Sequence, residues 1–374
     1  MLPDPLTLNS PLRVAQTRSA SVGTATIFAV GIAAAGAGWC SSAIIQAADQ
    51  IVRRSDNVTL RGDFTALEVS GITIRLTNGT EETVPATDVR SVRFDQEPAL
   101  LAQARSNERS GALTSALEKY RQVQTDYAGS DKRLQAELQF LIARTQLRLA
   151  LEDPAGREAA RTAMHEFRTA NKTSFRYLEA TLLEAALAAR IQDAAGAEAL
   201  LQEVQNSSVP GYQLQAGVQL GRLRLEASDA AGALAEFERV IQQSAGDAGA
   251  APARFDALLG KAMCLQQEKK TEDSLTVLDQ ILNEESGADA RVLAEAWNRR
   301  GDGLRQLNQT KAALLAYLHV DVLYSSEPSE HAEALFHLSR LWAPAGHQER
   351  ADDAAARLTE KYPNSSWTKQ LNGG

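Results

Sequence analysis

Hydrophobic residues follow three spacings along this chain of 374 residues. From Val22 to Gly38 they run almost unbroken, from Asn57 to Phe94 they alternate with polar residues, and from Pro98 onward they recur every three or four positions. The alternating part holds Val58 to Leu60, Phe64 to Val69, Ile72 to Leu76 and Val89 to Phe94, short β-branched runs with the period of half-buried strands. Asn78-Gly79 predicts a tight hairpin with positive φ at both positions, and Gly62, Gly71 and Pro85 mark the other turns. The helical part opens at Glu97-Pro98, where Pro suits a first helical position. There a small residue is followed by a bulky one four later and an aliphatic one seven later, as in Ala116, Tyr120 and Val123. Positions so spaced share one helix face. The pattern recurs from Ala160, Ala197, Ala233, Ser274, Ala313 and Ala351, at intervals of 36 to 44 residues.

In six of these seven units a second small residue lies twelve before the anchor: Ala104, Ala185, Gly221, Ala262, Gly301 and Ser339. Two antiparallel helices need small side chains where their backbones approach, so the unit is a helical hairpin repeated in tandem. Unit two carries Arg148 at that place and is expected to be distorted, and the loop from Gln243 to Arg254 is expected to absorb part of the excess length.

The array resembles tetratricopeptide repeats, whose signature is W-x2-L-G-x2-Y, then A-x3-F, then P. Unit six carries Trp297, Gly301, Ala313 and Tyr317 at the matching places, unit four Leu220, Gly221, Ala233 and Phe237, and the last unit Ala351 and Pro363. With Ala116 and Tyr120 these are the expected packing residues. The units exceed the family's usual length of about 34 residues. Residues 55–96 resemble SH3-like or Sm-like barrels in strand number. A module of about 40 residues buries little apolar surface, so it should lean on the helices. The fold expected is mainly α: a tetratricopeptide-like solenoid of about seven hairpins over 98–370, preceded by the small β module. The ending from Leu358 to Trp367 resembles the last repeats of bacterial envelope proteins of this class, such as outer-membrane assembly lipoproteins and the Tol-Pal coordination protein.

The resemblance implies a role in holding other proteins, in a groove lined by the first helix of each hairpin. Carried onto this sequence, the groove positions are Gln215, Val218 and Arg222; Asp256, Leu259 and Met263; Glu295, Asn298, Asp302 and Arg305; and Glu333, Phe336 and Arg340. Chaperone-binding members place Lys and Asn at two of these positions, where this chain has Val218 and Leu259 at one and Arg222 and Met263 at the other. A groove mixing apolar and charged residues suits an extended or helical protein segment.

Composition narrows the remaining choices. A net charge of −8 provides no basic excess to neutralise a phosphate backbone, so nucleic acid is not an expected partner. No catalytic, cofactor or small-molecule site stands out. His331 and His337 are six apart and fall on different helix faces, His165-Glu166 lacks the second His of a zinc-protease motif, and no Cys pair is present to hold a metal. Arg61-Gly62-Asp63 matches a cell-adhesion tripeptide but is explained by a turn. The sequons at Asn57 and Asn364 matter only in a glycosylating pathway. The polar start with Arg13 and Arg18, the apolar run and the small residues near Ala47-Ala48 have the order of an export signal, with the mature chain beginning near Asp49. An uncleaved membrane anchor over 22–48 is the alternative, and Cys40 as a lipidated residue is opposed by Trp39 before it. Outside this leader only Cys264 remains, read as a small buried hydrophobe. The expectation is an exported scaffold of the periplasm or cell envelope that binds envelope proteins without catalysis, or else a membrane-anchored spacer or self-associating organiser.

Overall fold

The computed structural model describes residues 48–284 and 288–373. The leader, with Cys40 and the apolar run, lies outside them. No described helix is long and apolar enough to cross a membrane.

Five antiparallel strands come first: β1 (Asp49–Arg53), β2 (Thr59–Glu68), β3 (Gly71–Leu76), β4 (Glu81–Pro85) and β5 (Val89–Arg93), in the order β4-β3-β2-β1-β5. Alternation buries Ile51, Phe64, Ile72, Ile74, Val84, Val89 and Val92 on one face, and Phe94 meets Phe64 edge-on at 5.7 Å. The sheet begins at Asp49, six residues before the expected boundary of 55, and its first strand lies between β2 and β5. Gly62 is not in a turn. It sits within β2 opposite Leu76, where an added Cβ would lie 1.9 Å from the Arg75 carbonyl oxygen, so close backbone approach explains the glycine. In the β3–β4 hairpin only Gly79 has positive φ, because the loop is three residues long, closed by Leu76 N–H donating to Thr80 O at 2.8 Å.

The described helices then form seven hairpins: α1 (Ala99–Arg109) with α2 (Leu113–Asp126), α3 (Lys132–Glu152) with α4 (Arg157–Ala170), α5 (Tyr177–Arg190) with α6 (Ala194–Gln205), α7 (Pro210–Glu226) with α8 (Ala230–Gln243), α9 (Ala251–Gln267) with α10 (Thr271–Asn283), α11 (Ala290–Gln306) with α12 (Thr310–Leu323), and α13 (Pro328–Trp342) with α14 (Gln348–Lys361). A short α15 (Ser366–Leu371) closes the end. Each anchor lies on a second helix and is buried: Ala116, Ala160, Ala197, Ala233, Ser274, Ala313 and Ala351. The Phe237 ring fits between Gly221 and Gly260, where an added Cβ would stand 2.6 and 2.3 Å from it, and Tyr317 lies as closely on Gly301. Tyr120 is buried and donates to Glu108 at 2.7 Å.

Three expectations need correction. Pro363 is exposed, so it ends the last repeat by terminating α14 and not by packing. The stretch from Gln243 to Arg254 is not a long loop, since a 3-10 turn at Ala248–Ala250 leads into α9, with Pro252 in its first turn. Unit two is a regular hairpin with an extended first helix of 21 residues, in which Arg148 turns toward Glu108 while Leu147 and Ala150 are buried.

The sheet does lean on the array, along the N-terminal ends of first helices. The buried Asp49 carboxylate accepts from Phe64 N–H, Asp95 N–H and Arg133 of α3, at 3.1, 2.8 and 3.1 Å. Thr87 lies against Gly211, and Tyr212 of α7 donates to Ala86 O at 3.4 Å. One continuous core joins the sheet to the first helices through α7.

Candidate functional site

Consecutive first helices pack on one another, α3 on α5, α5 on α7, α7 on α9, α9 on α11 and α11 on α13. This is therefore the inner side of the curved array, and the sheet occupies its N-terminal half at the helix ends.

On the C-terminal half the charges form a lattice between neighbouring first helices. Arg222 of α7 and Arg291 of α11 both hold Asp256 of α9 at 2.9 Å, and Arg291 also holds Glu295 at 3.1 Å. Arg299 bridges Asp302 at 2.9 Å and Glu333 of α13. Arg305 reaches Asp302 at 3.5 Å and His337 Nδ1 at 3.1 Å, and Tyr317 donates to Asp302 at 2.7 Å. Such pairs fix the pitch between hairpins, because removing one partner leaves a buried or half-buried charge uncompensated.

Burial sets the proton occupancy of this surface. Burial, reinforced by Arg305, Arg299 and Arg340, lowers His337 to about 4, so its ring is neutral at pH 7. Burial pushes Glu330 up to about 7, with the Glu295 charge adding to it, and burial likewise raises Glu333.

The groove residues expected from sequence divide into three groups. Val218, Leu259 and Asn298 are buried, turned into the contacts between hairpins, and are not groove surface. Asn298 donates to Glu330 O at 2.9 Å. Arg222 and Asp256 are committed to each other, while Gln215 and Met263 are half-buried. Arg305, Phe336 and Arg340 come together with His337 and Gln370 around a cavity of about 370 Å³ between α11, α13 and α15. Arg340 lies over the Phe336 ring at 5.0 Å, and Trp367 of α15 packs on Phe336 at 5.1 Å. Both arginines are exposed.

Sequence reasoning missed His337, Gln370, Arg291 and Arg299. Arg299 and His337 each lie one residue beyond a groove position, and an allowance of one residue in the register would have found them. Gln370 belongs to a closing helix with no counterpart in the repeat. Asp302, Glu333 and His337 place donor atoms within 4.8 Å of one another. Two guanidiniums already neutralise the two carboxylates, so the charge set is that of an ion-pair lattice and not of a cation site. Cys264 is buried with its thiol pushed up to about 12 by burial, which leaves it protonated and unreactive.

No curated protein matches the sequence. Residues 333–365 match the tetratricopeptide repeat family model. Among solved structures, a tetratricopeptide repeat protein from Parabacteroides merdae is similar at 14% identity, covering 73% of this chain and 95% of its own, with a TM-score of 0.53. The apo form of the quorum sensor NprR from B. thuringiensis is similar at 10% identity, with 70% and 74% covered and a TM-score of 0.55. A Rap protein complexed with Competence and Sporulation Factor is similar at 12% identity, with 73% and 77% covered and a TM-score of 0.51. The hairpins of this chain form a solenoid of tetratricopeptide-like fold, whose residues 333–365 match the repeat family itself, with a five-stranded sheet at its N-terminal end.

Proposed function

We propose that this chain is a non-catalytic protein-binding scaffold that seats a partner segment with an acidic residue at the C-terminal end of its inner face. The observation that carries this reading is the cavity between Arg305, Phe336, His337 and Arg340. On this half of the inner face Arg222, Arg291 and Arg299 are held in the chain's own close ion pairs, whereas at the cavity Arg305 reaches Asp302 only at 3.5 Å. Here two exposed guanidiniums flank an aromatic face, a combination that holds a carboxylate by charge-assisted hydrogen bonds and an adjoining apolar side chain by stacking. Rigid helices reduce the entropy lost when a segment is ordered there. The Rap protein of similar fold was crystallised in complex with Competence and Sporulation Factor, which supports ligand binding on this architecture.

We further propose that the protein is exported to the periplasm or cell envelope, on the strength of the leader-like residues 1–48. Its partners would then be envelope proteins. Photo-crosslinking in intact cells from a benzoylphenylalanine at position 336 tests the site. A partner should be captured, and the adduct should disappear with Arg305→Ala or Arg340→Ala. An adduct indifferent to both substitutions would remove the cavity from the binding site. The intact mass of the envelope-extracted protein tests export separately: loss of about 48 residues supports a cleaved leader, whereas full length in a soluble cytosolic fraction overturns export.

A further inference from the structure

Helix α12 differs from every other second helix in what it turns outward. Leu315, Val322 and Leu323 are 60%, 70% and 63% exposed, and Val58 is the only other large apolar side chain so open among the described residues. Relative to the anchor Ala313, these positions and His319 lie two, six, nine and ten residues on. In the other six hairpins the same register holds only polar residues or Ala, for example Arg239, Gln242 and Gln243 in α8, and Asp353, Arg357 and Glu360 in α14. His319 broadens the stripe by stacking on Trp297 of α11, 4.0 Å between ring centres.

The stripe is nearly symmetric about its own middle. Leu315 lies four residues before His319 and Leu323 four after, while Val322 faces the buried Ala316 in this symmetry; Lys311 lies eight before, and Glu327, eight after, stands past the helix end at the start of α13. Residues spaced by four form a ridge that packs against a like ridge at about 50°. A two-fold axis at His319 would set Leu315 of one copy against Leu323 of the other. Lys311 would meet the C-terminal end of the opposite α12, where carbonyl groups and Glu327 offer negative charge. An interfacial helix would instead carry a flanking stripe of Lys and Arg and a longer apolar face, which α12 lacks. We propose that the outer face of α12 pairs two copies of this chain about an axis through His319. The contact is isologous. A stripe of two turns gives less than the about 800 Å² per partner of a standard stable interface, so the dimer is reversible and populated only at high local concentration.

Sedimentation equilibrium of the full chain tests this, with circular dichroism to confirm that each variant is folded. The weight-average mass should rise toward twice the chain mass with concentration. Leu315→Glu or Leu323→Glu should each lower the association constant by about tenfold or more. Lys311→Glu should weaken it, and adding Glu327→Lys should restore it. As an independent check, His319→Cys in a Cys40→Ser background should form a disulfide-linked dimer on oxidation, whereas Gln280→Cys, at the same register of α10, should not. A mass that stays monomeric, with cross-linking at 319 no greater than at 280, overturns the proposal. So does a monomer that floats with phosphatidylglycerol vesicles in a manner abolished by Leu315→Glu, which would assign the stripe to a membrane surface.

Discussion

Two carboxyls near the last hairpins, one buried and one half-buried, are pulled in opposite directions by their surroundings. Glu330, under the inner face, has its proton held up to about 7 by burial, with the Glu295 charge opposing ionisation as well. Its cost to the fold is absent below about pH 4.5, grows as pH rises toward 7 and is constant above. Glu330→Gln should therefore raise stability by up to about 3 kcal/mol at pH 8 and leave it unchanged at pH 4, as read by urea unfolding at the two pH values. Asp321 is the reverse case. Burial alone would raise it, but hydrogen bonds from His331 and Arg357 hold it down at about 2. Its contribution is complete above the ordinary carboxylate range and is lost as pH falls from about 4 to about 2. Asp321→Asn should cost about 2 kcal/mol at pH 7, and the difference from the native chain should close on acidification. Neither residue was picked out from sequence, because a carboxyl's burial depends on the adjoining hairpin. The same limit explains Val218, Leu259 and Asn298. A helix period locates the buried stripe but leaves the boundary between groove and neighbour contact uncertain by one residue, and one residue is a rotation of about 100°.

At the scale of elements, the hairpins are held by small residues under rings and by tight turns. Gly260→Ala and Gly301→Ala would each drive a methyl into an aromatic ring, at 2.3 Å from Phe237 and 2.6 Å from Tyr317. Each should cost about 1–3 kcal/mol, with the thermal midpoint lowered accordingly. The turns show the opposite opportunity. Gln192, Ser228, Lys269 and Asn308 all take left-handed backbone, φ between 59° and 65°, at the bends inside hairpins three to six. Lys269→Gly should relieve that strain and raise stability by about 0.5–1 kcal/mol, measurable in the same unfolding assay. Seven hairpins were legible because their anchors repeat, and the strand pattern identified most of the sheet. Strand β1 was not legible: Asp49–Arg53 is five residues following directly on an apolar run, so alternation had no room to appear. Gly62 was misread for a related reason. A glycine admitted for close strand approach looks in sequence like a glycine admitted for a bend, and only the Arg75 carbonyl opposite it distinguishes the two.

At the scale of the whole molecule, the described residues form four apolar cores: one uniting the sheet with the helices up to α7, and three smaller ones covering α7 to α9, α9 to α11 and α11 to α15. Solenoid stability is a sum of such neighbour terms, so damage should stay local. Ile51→Ala, in the centre of the sheet, should cost about 2–5 kcal/mol. By hydrogen exchange, amide protection should fall in the sheet and in α1–α7 while α11–α14 retain theirs. A stack of similar hairpins behaves as a spring, its pitch adjustable at every coil. Here Asp49 tied to Arg133, and Ala86 and Thr87 set against α7, weld the first coils to a plate. The described coils beyond α8 are held instead by hairpin packing and by the ion pairs between first helices, so tension applied at Asp49 meets a stiff handle and twist concentrates in the later coils.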